Sequence, residues 1–390
     1  MRECPLCKNR DSEYFYLGSK GLYCRKCIRF KRVLIEEDLA SIDYQINDEA
    51  YNYTYSFPLT KYQKIASHKC LSEIKRKNVL LHCVCGAGKT EIVVETMAHY
   101  LKDKRKICYA IARKEVVIEL EKRFKILFPK AKVVSVYGGH HSELYGDIIV
   151  CTTHQLYRYP KTFDLLILDE VDAFPFKGDD VLFEIAKTSC IGHIIFSTAT
   201  IDGRLIQELK EGKTSLVSLD LRPHLKPLIV PKLVCSIKAY LLVYLLILIR
   251  RSKRQMIVFV SSKQMAKNLC FVYKFFTSAT YVYSDLKNRR KNIDDFKNKK
   301  VKVIFATTVL ERGITIKGVS VVILNFHDGV FDEASLVQML GRVGRDFNDP
   351  YGDAYILTNK RSRSIKKAIN TIRKANDNAL SILRQEISKN

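Results

Sequence analysis

From about Phe57 the chain alternates short apolar runs with amphipathic stretches. The runs Val79–Cys83, Lys106–Ile111, Lys132–Val136, Asp147–Cys151, Leu165–Leu168 and His193–Phe196 predict strands, and stretches such as Glu115–Leu127 predict helices between them. Strands of this kind alternating with helices imply a parallel sheet covered by helices. A second series begins near Gln255, with predicted strands at Gln255–Val260, Lys302–Ala306, Ser320–Leu324 and Gly352–Leu357. Three prolines in Arg222–Pro231 mark the hinge between the two series. Ahead of them, residues 1 to about 35 are short, polar and cysteine-paired, and residues 36–56 are acidic and tyrosine-rich without a clear period. The expected organisation is α/β: a small head (1–35), a connector that is helical in part (36–56), a first lobe (57–221) and a second lobe (222–390) ending in a basic helix after Lys360. The longest uncharged apolar run, Ala239–Ile249, is too short to span a bilayer and predicts a buried helix.

Composition sharpens this picture at two points. The chain has 390 residues, long enough for two or three domains. Its 66 Lys and Arg against 41 Asp and Glu give a formal charge of +25 and a surface that attracts polyanions, of which phosphate backbones are the commonest. The twelve cysteines do not suit a secreted disulfide scaffold. Four form two Cys-x-x-Cys pairs near the start, and most of the rest are single residues in apolar surroundings, such as Cys108, Cys151, Cys190 and Cys270. The first 31 residues are charged throughout, unlike a secretory signal. The expected location is cytoplasmic, with peripheral attachment to a membrane left open.

Chemistry enters where strands end. The run Val79–Cys83 leads into Cys85-Gly86-Ala87-Gly88-Lys89-Thr90 and then a helical pattern, the strand–loop–helix setting of a P-loop. Backbone N–H groups around Gly86, Ala87 and Gly88 would close on phosphates, Lys89 would hold the β- and γ-phosphates of ATP, and Thr90 would ligate Mg²⁺. Cys83 stands where the full pattern has its first glycine. About 80 residues on, Leu165–Leu168 delivers Asp169-Glu170-Val171-Asp172, with Asp169 for the Mg²⁺ shell and Glu170 to orient and deprotonate the attacking water. Ser197-Thr198-Ala199-Thr200 follows the next strand. In the second lobe come Thr307-Thr308-Val309-Leu310-Glu311-Arg312-Gly313 and Gln338-Met339-Leu340-Gly341-Arg342-Val343-Gly344-Arg345.

This order and spacing resemble superfamily 2 helicases over about Phe57 to Leu357. The resemblance implies two RecA-like lobes with ATP bound between them. It implies Gln63 for adenine contact, Gly313 for nucleotide binding, and Ser197, Thr198, Thr200 and Gln338 for coupling hydrolysis to lobe movement. Arg342 and Arg345 match the arginine fingers, and Arg113, Thr152, Thr153, Ser261 and Thr307 match positions that grip a nucleic-acid backbone. Thr308 and Thr315 stand where many relatives carry Asp. The segment DEVDAFPF, the run Thr152–Leu156, Arg222, His224 and Pro227 at the hinge, and the four-cysteine head resemble the ComFA family of bacterial natural transformation over nearly the whole chain. That resemblance implies a single-stranded-DNA-dependent ATPase that drives transforming DNA into the cytosol, with ComFC, DprA and the ComEC membrane channel as partners. The rivals are a replication-restart or recombination helicase like PriA or RecG, an RNA helicase, and an ATP-binding zinc adaptor without catalysis.

The head carries its own chemistry. Cys4-x-x-Cys7 and Cys24-x-x-Cys27 lie sixteen residues apart, the spacing of a zinc ribbon in which two knuckles give four thiolates around Zn²⁺; an iron–sulfur cluster is the minor alternative. A redox pair expects a thioredoxin-like βαβ neighbourhood, which 35 residues cannot supply. Arg2, Lys8, Lys20 and Lys26 make a modest basic surface, so a partner protein is preferred over DNA as the head's target. His140, His141 and His154 lack ligand-like spacing and read as ordinary loop residues.

Overall fold

The apolar runs become strands because only a sheet covered on both faces can bury consecutive apolar residues while satisfying every backbone N–H and C=O. The computed structural model describes residues 2–311, 316–326 and 329–387. The chain divides into Met1–Cys83 with Gly88–Leu219, and Asp220–Asn390 with the four residues Val84–Ala87.

The first unit opens with a hairpin, β1 (Phe15–Gly18) and β2 (Gly21–Cys24), followed by α1 (Lys61–Ile74), β3 (Asn78–Cys83), α2 (Lys89–Lys102), β4 (Ile107–Ile111), α3 (Lys114–Leu127), β5 (Val133–Val136), β6 (Ile148–Thr152), β7 (Phe163–Asp169), α4 (Asp180–Ser189), β8 (Cys190–Thr198), α5 (Gly203–Lys210) and β9 (Thr214–Leu219). Strands β3 to β9 form one seven-stranded sheet in the order β5-β6-β4-β7-β8-β3-β9, parallel throughout. All five residues of β4 and of β6 are buried, as the unbroken apolar runs require.

The second unit contains β10 (Lys232–Cys235), α6 (Lys238–Arg251), β11 (Gln255–Phe259), α7 (Lys263–Tyr273), β12 (Ala279–Val282), α8 (Arg289–Lys297), β13 (Val303–Ala306), β14 (Val319–Asn325), α9 (Glu333–Leu340), β15 (Ala354–Thr358) and α10 (Arg363–Ile387). Its six strands are also parallel, in the order β10-β15-β14-β11-β13-β12. Both units are RecA-like α/β lobes.

Three expectations need correction. Strands β9, β10 and β12 are absent from the sequence reading, and each is a sheet edge. None of the three is buried along its length, so the apolar signal of each is weak: β10 has no fully buried residue, β9 mixes exposed positions among buried ones, and β12 buries only Ala279 and Val282. Helix α6 forms where expected but is not buried all round. Leu241, Leu245 and Ile249 enter the core, while Tyr240, Val243 and Ile247 face outward. The connector 36–56 contains no helix. It is an extended strap tied to the first lobe by charge. Asp38 pairs with Lys161 (2.8 Å), Asp43 with Lys106 (2.8 Å), Glu49 with Lys130 (2.7 Å), and Asp48 with Lys104. It is also held by Asn47 N–H donating to Asp147 Oδ1 (2.7 Å) and Thr54 N–H to Leu127 O (2.8 Å). Six acids and no Lys or Arg between Glu36 and Ser56 match the basic surface beneath. No described helix is long and apolar enough to cross a membrane.

Candidate nucleotide site and metal centre

In the first unit the candidate residues gather at the C-terminal ends of the parallel strands, where α/β proteins bind ligands. Strand β3 runs through the P-loop to α2, with Gly86 at φ +84° and Gly88 at φ +86°. Both values lie in the left-handed region, which glycine enters without steric cost. Gly88 is also fixed by its neighbour, since a Cβ there would stand 2.4 Å from Gln63 Nε2. Cys83, where the pattern has glycine, is the last residue of β3, a strand position that needs no glycine.

Gln63 is buried at the first turn of α1, held by a reciprocal cap: Thr60 N–H donates to Gln63 Oε1 (3.0 Å), and Gln63 N–H donates to Thr60 Oγ1 (3.4 Å). Such a box satisfies two orphan donors of the helix start and fixes the carboxamide's orientation beside the P-loop.

Strand β7 delivers Asp169 and Glu170. Asp169 is a hub: Oδ1 accepts from Ser197 Oγ (2.7 Å) and from the Glu170 N–H (3.0 Å), while Oδ2 accepts from Tyr109 Oη (2.9 Å). A second link of the same spacing joins Thr200 Oγ1 to Asp172 Oδ2 (2.7 Å). Thr198 Oγ1 closes the turn by donating to Thr200 O (2.6 Å) and accepting from Thr200 N–H (3.1 Å). The DEVD and STAT segments, read separately in the sequence, are thus fastened side by side because β7 and β8 are neighbours, with Asp169 opposite Ser197. Glu170 has φ +58°, a left-handed conformation uncommon for a side-chain-bearing residue, and such outliers cluster at functional sites.

Tyr109 carries no signal in the sequence, where it is one aromatic in an ordinary strand. Its phenol is pushed well up, first by burial and then by the Asp169 charge, so it stays a proton donor. The same hydroxyl also interacts with the Thr90 side chain. Tyr109 therefore holds together the two residues expected around Mg²⁺.

Among the candidate nucleic-acid residues, Arg113 caps the start of α3 just after β4. Thr152 ends β6 and Thr153 begins the 3-10 turn Thr153–Arg158. Both threonines are buried. In the second unit Ser261 follows β11 and contacts Met265 Sδ (3.7 Å), and Thr307 follows β13, its N–H donating to Val282 O (3.2 Å).

Also in the second unit, Gln338 and Arg342 are buried and Arg345 is half-buried. Arg342 Nε donates to Glu311 O (3.2 Å) and Arg345 Nε to Gly341 O (2.8 Å). Arg222 clamps the turn between these arginines, donating to Gly341 O (2.9 Å), Val343 O (2.6 Å) and Gly344 O (2.7 Å). Its pKa falls to about 10, first through burial and then through the nearby Arg345. His224, whose pKa burial lowers, accepts from Lys226 N–H at Nδ1 (3.0 Å); the neutral ring therefore carries its proton on Nε2 and donates to Gly344 O (2.9 Å). The hinge residues thus shape the loop that carries the arginines. Gly313, together with Arg312 and Thr315, lies outside the described residues.

The head gathers Cys4, Cys7, Cys24 and Cys27, all buried, with their sulfurs within 4.8 Å of one another. Cys4 and Cys27 stand 3.7 Å apart, as do Cys7 and Cys24. A tetrahedral cation with sulfurs at about 2.3 Å spaces them about 3.8 Å apart, so the four fit such an ion. Without a cation their ionisations oppose one another: the Cys27 thiol is pushed up, first by donating to Cys4. The head is not a separate bead. Its cysteines belong to the same hydrophobic cluster as first-lobe core residues such as Leu156 and Phe163. Phe30 packs on His154 (ring centroids 6.1 Å apart) and Tyr157 (6.2 Å), and Arg29 pairs with Asp179. His154, an ordinary loop residue by sequence, is where the head docks.

Residues 56–201 match the type III restriction enzyme res subunit family and residues 238–346 the helicase conserved C-terminal domain. The competence protein ComFA of Streptococcus pneumoniae is 30% identical over 96% of this chain and 90% of its own length. The chain belongs to the ComFA family. Bacillus subtilis ComFA is 29% identical over 97% of this chain and 86% of its own. Saccharomyces cerevisiae Dbp5 bound to RNA and ADP BeF3 superposes with a TM-score of 0.62 at 20% identity, covering 81% of this chain and 87% of that one, a likeness of fold. The helicase domains on this fold make the chain a superfamily 2 nucleic-acid-dependent ATPase that uses ATP and Mg²⁺.

Proposed function

We propose that this ComFA-family chain is a single-stranded-DNA-dependent ATPase and translocase that drives transforming DNA into the cytosol. The observation that carries the reading is the Asp169 hub beside the P-loop, in a chain related to competence proteins over nearly its full length. Backbone N–H groups of Gly86, Ala87 and Gly88, with Lys89, bind the phosphates, and Gln63 reads adenine. Thr90 and Asp169 hold Mg²⁺, which supplies charge neutralisation at the phosphates. Glu170 orients the water and takes its proton. Because Ser197 touches Asp169 and Thr200 touches Asp172, a change at the carboxylates reaches the STAT segment directly. Arg342 and Arg345 contribute to turnover from the second unit, and Gln338 and Gly313 act with them. Arg113, the turn at Thr152 and Thr153, Ser261 and Thr307 grip the strand's backbone without reading bases. The protein works in the cytoplasm at the inner membrane face, with ComFC, DprA and the ComEC channel as partners.

The test is steady-state ATP turnover with single-stranded DNA, duplex DNA or RNA added. Single-stranded DNA should stimulate turnover several-fold and the others much less. Its affinity should fall with salt at a slope of about −0.7 per phosphate neutralised. Equal stimulation by RNA, or a slope near zero, would overturn the reading.

The head holds one structural zinc on Cys4, Cys7, Cys24 and Cys27. Closed four-thiolate coordination leaves no position for catalysis, and the binding energy of the ion is folding energy for the head. Metal analysis is expected to find about one zinc per chain. Cys24→Ala should lose it and open residues 2–35 to protease. Through Phe30 and Arg29 it should also loosen the turn Thr153–Arg158, while ATP still binds at the P-loop. Zinc-free protein with a protease-resistant head would refute the assignment.

A further inference from the structure

The hairpin of the head has two unlike faces. Tyr16 pairs with Tyr23 across the strands and Phe15 with Cys24. Side chains alternate along a strand, so Phe15 and Cys24 turn to the cysteine cluster and the core, while Tyr16 and Tyr23 lie on the other face, where Tyr16 is exposed and Tyr23 is buried. Just beyond the paired strands, Tyr14, the last residue of the 3-10 turn Ser12–Tyr14, and Arg25 are joined by Arg25 N–H donating to Tyr14 O (2.7 Å). Tyr14 is 40% and Tyr16 50% exposed, and Tyr16 meets Tyr23 edge-on at 5.6 Å. Each ring has a cation beside it: Arg25 lies 4.9 Å from the Tyr16 ring, Lys26 5.1 Å from Tyr14 and Arg32 4.6 Å from Tyr23.

Charge points the same way. Residues 2–32 hold nine Lys and Arg against three acids, a net of 9 − 3 = +6. One acid, Glu3, is already paired with Arg10 (2.6 Å) and Lys8 (3.4 Å). Another, Asp11, accepts from the Glu13 N–H (3.1 Å). Arg2, Lys8, Lys20 and Lys26 alone make a modest surface. The fold adds Arg25 and Arg32 and sets them among aromatic rings on a plate pinned by four cysteines.

From this juxtaposition we infer that the outer face of the β1–β2 hairpin is a second contact for single-stranded nucleic acid, with bases stacking on Tyr14 and Tyr16 and phosphates held by Arg25, Lys26 and Arg32. Aromatic rings interleaved with cations are what single strands bind without sequence preference. Among its described residues the head has no α-helix to enter a duplex groove, and stacking requires unpaired bases. The position fits, because Phe30 anchors the head on the turn that begins with Thr153. The hairpin and that turn belong to the same unit. The inference rests on the reading of the chain as a single-strand-dependent motor, but adds a site outside the motor.

The experiment uses zinc-loaded full-length protein and labelled oligothymidylate of about 30 nucleotides, with oligouridylate as a parallel arm. Each stacked base contributes roughly 5- to 150-fold in affinity, so Tyr14→Ala with Tyr16→Ala should weaken binding by about tenfold or more. Zinc content and turnover without nucleic acid should match the parent. Tyr14→Phe with Tyr16→Phe should restore affinity, since the ring and not the hydroxyl stacks. Arg25→Glu with Arg32→Glu provides an independent arm, with an expected loss of at least similar size and a shallower salt dependence. Matching losses for both oligomers would assign a backbone-and-stacking site common to DNA and RNA, and loss for one alone would assign the site to that nucleic acid. Affinity within twofold of the parent in both the tyrosine and arginine variants would overturn the inference and leave the face to a protein partner. A parent protein that binds no single strand would instead overturn the motor reading itself.

Discussion

Glu170→Gln is expected to bind ATP as the parent does and to hydrolyse it about 10²–10⁴-fold more slowly, the range that a positioned general base supplies. The carboxamide keeps the size and shape of the side chain but cannot take the water's proton. The residue stands directly after β7 in a left-handed backbone conformation, φ +58°, which aims its side chain differently from that of Asp169 although the two are adjacent. Asp169 is committed to Tyr109, Ser197 and the Glu170 amide, which fixes its carboxylate in place. Single-turnover hydrolysis beside a nucleotide-binding titration separates the two expectations. Turnover at the parent rate would mean that the base is another group. Turnover and affinity failing together would mean that Glu170 supports the fold of the turn.

Arg345→Ala is expected to lower nucleic-acid-stimulated turnover by about 10³-fold or more while leaving nucleotide affinity within a few-fold, because an arginine of this kind acts mainly on charge that develops during transfer. Arg342→Ala should do the same, but its reading needs a control. Arg342 is buried, with Nε on Glu311 O, so truncation also removes a buried hydrogen bond to the backbone, at a cost of about 1–3 kcal/mol. Thermal melting of the variant and the paired Arg342→Lys variant distinguish a lost fold from a lost charge. Arg345, less buried and held through Gly341 O, is the cleaner probe. Normal stimulated turnover in both variants would remove the second unit from the hydrolytic machinery.

Much of this was legible in the chain itself wherever a physical demand falls on consecutive residues. A P-loop needs glycine at left-handed positions followed by Lys and Thr, and a buried central strand needs an unbroken apolar run. Four thiolates around one ion need two Cys-x-x-Cys pairs. These appear as strings, and Gly88-Lys89-Thr90, Leu165–Glu170 and Cys4 to Cys27 stand where the strings place them. The edge strands β9, β10 and β12 were not legible, because a half-exposed strand has no such run. Nor was the outward face of α6, since an apolar run records composition and not which side is covered.

The sequence by itself determined the α/β class, the two-lobed division, the residue types of the candidate nucleotide site and the four-cysteine cluster, all of them properties of local strings and periods. Only the tertiary structure decided what meets across distance. Sheet order made β8 the neighbour of β7, and so put Ser197 on Asp169 and Thr200 on Asp172. It brought Tyr109 from β4 to the same carboxylate and set Arg222 against the turn between Gly341 and Gly344. It also seated the head on His154 and turned Tyr14 and Tyr16 to the surface. The physical reason is common to all of these: strand pairing and core packing join residues tens to more than a hundred positions apart, and no local pattern of polarity encodes which of several parallel strands will lie side by side.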